Sequence, residues 1–170
     1  METKFSTTHR IIIMALLMAI SIILSRFLSI AAWNLKIGFA FLPIALAGML
    51  LGPIPAAVVA ALADFLGAIL FPIGPFFPGF TLTAFLTGIL FGLFLHKKAD
   101  MKNIILASLS TQLFCSLLLN TYWISVISGA SFWALLPTRI LQTCVMIVFQ
   151  IILIRILAGY APQLYKIQKA

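Results

Sequence analysis

An all-α integral membrane protein, a six transmembrane helix bundle with both termini cytoplasmic, is the fold that three observations predict. Of the 170 residues, 64% are hydrophobic and only 8% charged, more apolar side chain than a water-soluble core of this length needs. The apolar residues fall into long runs separated by glycine, proline and polar breakers, and a bilayer asks for about 20 such residues per crossing. Lysine and arginine gather at alternate ends of the runs, as the enrichment of cytoplasmic flanks requires. At that span length the chain has room for roughly five to seven helices and none for a separate soluble domain, so residues 1–170 are read as a single transmembrane domain.

The first run, Ile11 to Leu28, follows a charged start containing Lys4 and Arg10. It has the outline of a secretory signal, but no Ala-x-Ala-like cleavage site precedes Arg26, so it is read as a retained first helix. The second run, Ile37 to Leu51, is short for a bilayer. Gly52-Pro53-Ile54-Pro55 forms a tight turn, with Pro55 expected as the first helical residue of the third run, Pro55 to Leu70. The fourth runs from Thr81 to Leu95, the fifth from Asn103 to Ile127 and the sixth from Leu135 to Leu157, Gly129-Ala130-Ser131 breaking the last two apart.

With the amino terminus inside, Lys4, Arg10, Lys97, Lys98, Lys102, Arg155, Lys166 and Lys169 all fall on the cytoplasmic side, and only Arg26, Lys36 and Arg139 fall outside. An odd number of spans would strand one basic cluster on the wrong face. Small residues four apart, at Ala15 and Ala19, Gly48 and Gly52, Ala57 and Ala61, and Gly88 and Gly92, let helix backbones approach closely. Ordinary internal packing is the default for each pair; a docking surface is the alternative.

The net charge of +8 does not indicate nucleic acid, because the basic residues are dispersed and form no face with interleaved aromatics. Cys115 and Cys144 lie in apolar runs without ligand-type spacing and read as small hydrophobes. An enzyme is not predicted. The only acids are Glu2, Asp64 and Asp100, and His9 and His96 are not a presumed metal pair. No P-loop is present, so any ATP-driven step belongs to a partner, and no cofactor is expected.

Three anomalies point to a small ligand instead. Asp64 lies mid-span, where a carboxylate costs at least about 2.5–3.5 kcal/mol; it is either a structural partner for a helix hydroxyl or for Arg139, or an acceptor for a donor-rich heterocycle. Arg26, Lys36 and Arg139, the last expected in the first turn of the sixth span, can converge at one outer mouth to hold an anion; snorkelling to headgroups is the alternative. Phe71 to Phe80 is an uncharged loop rich in rings and prolines that can stack on a flat ligand or anchor at the interface together with Trp33, Trp123 and Trp133. Thr81, Thr83, Asn120, Thr121 and Tyr122 add hydrogen-bonding groups to the same half of the bundle, although each singly is more often a satisfied helix residue.

Several stretches resemble the substrate-binding S components of energy-coupling factor vitamin transporters, most closely the folate-specific members. These are Lys36 to Ile44, Ala63-Asp64-Phe65-Leu66-Gly67 continuing to Pro72, Phe76 to Phe85, and Leu135 to Arg139. The family's Ala-xxx-Ala docking mark on the first helix is matched by Ala15 and Ala19. The resemblance implies a six-helix protein that binds a vitamin at its outer side, joins a transmembrane coupling subunit and two ATPase subunits in a bacterial cell membrane, and topples as it delivers its ligand.

The chemistry suits folate. Asp64 can accept two donors from the pterin edge, and Arg26, Lys36 or Arg139 can take the glutamate tail. Phe77 or Trp123 can stack on the rings, with Thr81 and Asn120 as further expected contacts. The competing class is a stand-alone proton-coupled carrier using Asp64.

Overall fold

The computed structural model describes residues 7–32, 35–96 and 98–167, with side chains at 7–29, 38–96 and 98–160; Lys4, Trp33, Lys97 and Lys169 lie outside the described residues. Six helices follow one another: α1 (Thr7–Arg26), α2 (Phe41–Leu51), α3 (Pro53–Leu70), α4 (Pro78–Leu95), α5 (Met101–Ser128) and α6 (Phe132–Ile167). Five of them are long and apolar enough to cross a membrane, and α2 is a shorter apolar helix.

The expected start of the second span at Ile37 is corrected by a short hairpin. Strands β1 (Ile30–Ala32) and β2 (Leu35–Ile37) pair antiparallel, Ile30 opposite Ile37, and Gly38 then passes so close to Ser29 that an added Cβ would meet its Cβ at 3.0 Å. Helix α2 is left with 11 residues, about 16 Å of rise, half of a hydrocarbon core about 30 Å thick. It is central instead. Nine of its residues, Phe41, Pro43 to Ala45 and Ala47 to Leu51, are buried, and its neighbours are α1, α3, α4 and α6. Such a helix ends against protein and not against lipid, which is where irregular backbone is tolerated at membrane depth.

The core around α2 joins Phe41, Ile44 and Met49 to Phe91 and Leu95 of α4, Ile104 of α5, and Met146 and Ile154 of α6. Glycines bring the backbones together. A Cβ on Gly88 would lie 2.5 Å from the Ala56 carbonyl, one on Gly92 would overlap Pro53, and one on Gly48 would lie 2.9 Å from the Gly92 nitrogen. Internal packing therefore uses these small residues, and Ala57 is fully buried with them. Ala15 and Ala19, in contrast, are exposed on the outer side of α1, between Ile11, Leu16 and Ile23.

Pro53, not Pro55, opens α3, because Gly52 takes a left-handed φ of 92° and lets the chain reverse two residues earlier. In the same way Pro78, Gly79 and Phe80 belong to α4, so the loop from α3 is confined to residues 71–77. Gly129, at φ 67°, terminates α5. Helix α6 then begins at Phe132, three residues before the expected Leu135, and Arg139 sits about two turns inside it instead of in the first turn.

The middle of α5, Thr111–Asn120, is π-helical, between α-helical Met101–Ser110 and Thr121–Ser128. At the junction the Thr111 hydroxyl donates to the carbonyls of Ala107 (2.8 Å) and Ser108 (3.2 Å), a competition for backbone acceptors that loosens the regular ladder. Helical π segments of this kind recur at functional sites.

Candidate functional site

A cavity of about 710 Å³ opens at the end of the bundle where α1 finishes and α4 begins, and all six helices contribute to it. Helix α1 supplies Ser21, Ser25 and Arg26; α3 supplies Ala60, Ala63, Asp64 and Ala68; α4 supplies Phe80, Thr83, Ala84 and Thr87. Phe41 and Ile44 of α2 form part of the wall, Asn120, Ile124, Ile127 and Ser128 of α5 another part, and Arg139 of α6 another. The loop contributes residues 73–77, in which Pro75 stiffens the backbone that carries Phe76 and Phe77 at the mouth. The lining is mostly apolar with a few converging polar groups, as small-molecule sites are.

Asp64 enters from the fourth turn of α3. Its Oδ2 accepts a hydrogen bond from the Thr81 hydroxyl at 3.0 Å, which fixes the carboxylate and leaves its second oxygen for another donor. Arg26 reaches the same region from α1. Its Nη2 donates to the backbone carbonyl of Asp64 at 3.5 Å, and the absent side chain of Gly67 makes room for it, since a Cβ there would lie 3.0 Å from Nε. That Nε is buried and makes no hydrogen bond among the described residues.

Arg139 comes from α6. It is only 5% exposed, donates through Nη1 to Gln142 Oε1 at 3.2 Å, and also has a buried Nε with no hydrogen-bond partner among the described residues. The cavity thus carries two guanidinium groups and one carboxylate. Desolvating a cation costs several kcal/mol unless a counter-charge and further hydrogen bonds complete it. An anionic ligand with donor groups of its own would complete all three.

Of the residues expected at the ligand, Arg26, Asp64, Phe77, Asn120 and Arg139 line this cavity. Thr81 and Trp123 do not. Thr81 acts on Asp64, and Trp123 stands behind Phe77, ring centroids 5.4 Å apart, with its indole N–H donating to Thr83 Oγ1 at 3.1 Å. Gly79 admits this arrangement, because a Cβ there would lie 2.6 Å from both rings. The Lys36 side chain lies outside the described residues, its backbone pairing with Ala31 in the hairpin. Tyr122 is exposed, 53%, and Thr121 is buried without lining the cavity.

Ser21 and Ser25, and Thr87 below Thr83, went unpredicted. Each pair is spaced four residues apart, which places both members on one helix face, and that spacing was the available signal. Below the main cavity a smaller one of about 170 Å³ is bounded by neutral polar groups, among them Thr111, Gln112 and Ser116 of the π segment and Gln142 and Gln150 of α6. Phe41, Thr87 and Asn120 border both.

Comparison with known proteins shows the family. Residues 9–158 match the family of ECF transporter substrate-specific components. The folate transporter FolT of Clostridium novyi (strain NT) is 38% identical over 136 residues, 79% of either chain. That of Leuconostoc mesenteroides subsp. mesenteroides is 29% identical over 151 residues, 85% of this chain and 81% of the other. A crystal structure of FolT bound with folic acid superposes with a TM-score of 0.85 at 35% identity, covering 89% of this chain and 93% of that one. The S component of a bacterial ECF transporter, at 23% identity and a TM-score of 0.63, shares the fold over 91% of this chain and 98% of its own. Six apolar helices around a charged cavity, five of them long enough to cross a bilayer, and the match over residues 9–158 identify this chain as a multi-pass membrane protein of the ECF transporter substrate-specific component family.

Proposed function

We propose that this chain is the folate-binding subunit of an ATP-driven vitamin uptake system in a bacterial cell membrane. It acts as one six-span transmembrane substrate-binding domain, both termini cytoplasmic and the cavity opening outward, alongside a transmembrane coupling subunit and two ATPase subunits. The observation that carries the reading is the convergence of Asp64, Arg26 and Arg139 on one cavity in a chain 35% identical to a protein solved with folic acid.

Folate supplies what the cavity lacks: donors on its pterin edge for Asp64, carboxylates for the guanidinium groups, and flat rings for Phe76 and Phe77. At roughly 0.3 kcal/mol per heavy atom over about 30 atoms, binding is worth about 10 kcal/mol, a Kd of tens of nanomolar. The partner-docking role of Ala15 and Ala19 is supported by their exposure, the glycine pairs being engaged in internal packing.

Reconstitution tests the whole reading. Liposomes containing this chain with a coupling subunit and ATPase subunits are expected to accumulate folate only when ATP is supplied. Accumulation by the chain alone, driven by a pH gradient and lost in Asp64→Asn, would contradict the reading and establish the proton-coupled carrier.

A further inference from the structure

We infer that the smaller cavity, about 170 Å³ beneath the main one, is a water-binding chamber that hydrates the middle of α5, the π winding there serving to turn the polar side chains of the segment into it. The assignment is independent of what the main cavity binds.

The winding decides which side chains meet. Thr111 opens the π segment and Asn120 closes it, nine positions later. At 3.6 residues per turn, nine residues make about two and a half turns, so a regular α-helix would set these two side chains on opposite faces. Hydrogen bonds of the i→i+5 type lengthen each turn. Thr111, then Cys115 or Ser116, then Asn120 recur at steps of four and five residues, and all of them border the one cavity. A membrane helix that were α-helical throughout would direct one end of this polar series toward lipid, where a carboxamide or hydroxyl finds no partner.

The groups facing the chamber call for a filling that both donates and accepts. Gln112 is only 8% exposed, and its amide makes no hydrogen bond among the described residues. Gln150, 1% exposed, accepts a long hydrogen bond from the Thr111 hydroxyl at 3.4 Å, which leaves its two amide donors to be answered. Buried amides of this kind are completed by protein or by ordered water. An ion is the wrong filling, because no acid, lysine or arginine borders the chamber and a desolvated charge would stand there uncompensated. Water fits in size as well: at about 30 Å³ each, about five molecules occupy the volume, within reach of the two to four polar partners that each requires. Phe41, Thr87 and Asn120 border both cavities, so this water forms a polar floor under the main one.

Two methionines supply the test. Met146 and Met49 are equally buried, 7% and 8% exposed, but Met146 borders the chamber while Met49 borders neither cavity. Hydroxyl radicals made by an X-ray pulse from water held inside a protein oxidise the side chains beside that water, thioethers among the fastest. With the purified full chain in lipid nanodiscs, Met146 is expected to be oxidised at least about fivefold faster than Met49. Equal rates for the two would overturn the assignment. Ser116→Leu places an apolar side chain in the chamber and is expected to bring Met146 down to the rate of Met49, leaving the exposed Met101 unchanged. A folded Ser116→Leu chain that keeps the fast oxidation of Met146 would also overturn it. Should Ser116→Leu not fold, the comparison of Met146 with Met49 in the wild-type chain decides alone.

Discussion

Replacing Asp64 by asparagine changes the cavity's charge with almost no change in shape. The asparagine carbonyl can still accept the Thr81 hydroxyl, which stands 3.0 Å from Oδ2, so the local fold keeps its anchor. The second oxygen becomes an amide N–H2 and faces the pterin donors with a donor. One charge-assisted hydrogen bond is lost, about 1.5–3 kcal/mol, or a factor of about 10–150 in affinity. A Kd of tens of nanomolar then moves to the micromolar range. Isothermal titration of folate into the detergent-solubilised variant reads this directly, with thermal melting alongside. Thr81→Val serves as the graded control, since it frees the carboxylate without removing it and costs about 0.5–1.5 kcal/mol. An Asp64→Asn variant with a lowered melting temperature but a folate Kd within about threefold of wild type would refute the ligand role of the carboxylate and leave it structural.

Ala15→Trp with Ala19→Trp places two bulky rings on the exposed face of α1; uptake in the reconstituted complex is expected to vanish while folate binding by the isolated chain persists. Gly92→Ala pushes a methyl group into Pro53, so it should destabilise the fold by about 1–3 kcal/mol, read as a fall in melting temperature. Gly79→Ala intrudes on both Phe77 and Trp123, displacing the ring at the mouth, and is expected to weaken folate binding by about 0.5–1.5 kcal/mol in the same titration.

Much of the helical framework is legible in the sequence because turns announce themselves chemically. Gly52 beside Pro53 and Gly129 beside Ala130 and Ser131 each end a helix where a left-handed residue is required, and the apolar runs between breakers correspond to the helices within a few residues except at the end of α6, which continues to Ile167, ten residues past the expected Leu157. Segments without such chemistry are harder. Residues 35–37, Leu-Lys-Ile, contain neither glycine nor proline, so nothing in their composition separates the hairpin from an extra turn of α2. The π segment has the same residue types as the α-helical turns flanking it, and only the Thr111 hydroxyl hints at the change.

The candidate site divides along similar lines. Depth follows from helix direction, and this is why Arg26, Asp64, Asn120 and Arg139 fall at one end of the bundle. Rotation about the helix axis does not follow. A soluble helix shows its buried face by amphipathicity, whereas α4 is apolar toward lipid and toward core alike, so Thr81 could not be told from a cavity-wall residue. The expected place of Arg139 in the first turn of its helix is corrected for a different reason: that place depends on where α6 starts, and the turn at Gly129 puts the start at Phe132.

The convergence of Asp64, Arg26 and Arg139 has functional meaning only if folate occupies the space between them. Calorimetric titration of the wild-type chain with folate, set against a panel of other vitamins, addresses this most directly. One folate per chain at a Kd of tens of nanomolar, with no comparable binding of thiamine or riboflavin, is the expected result. Absence of binding by folate and by every other pterin, in a chain that melts cooperatively, would contradict it.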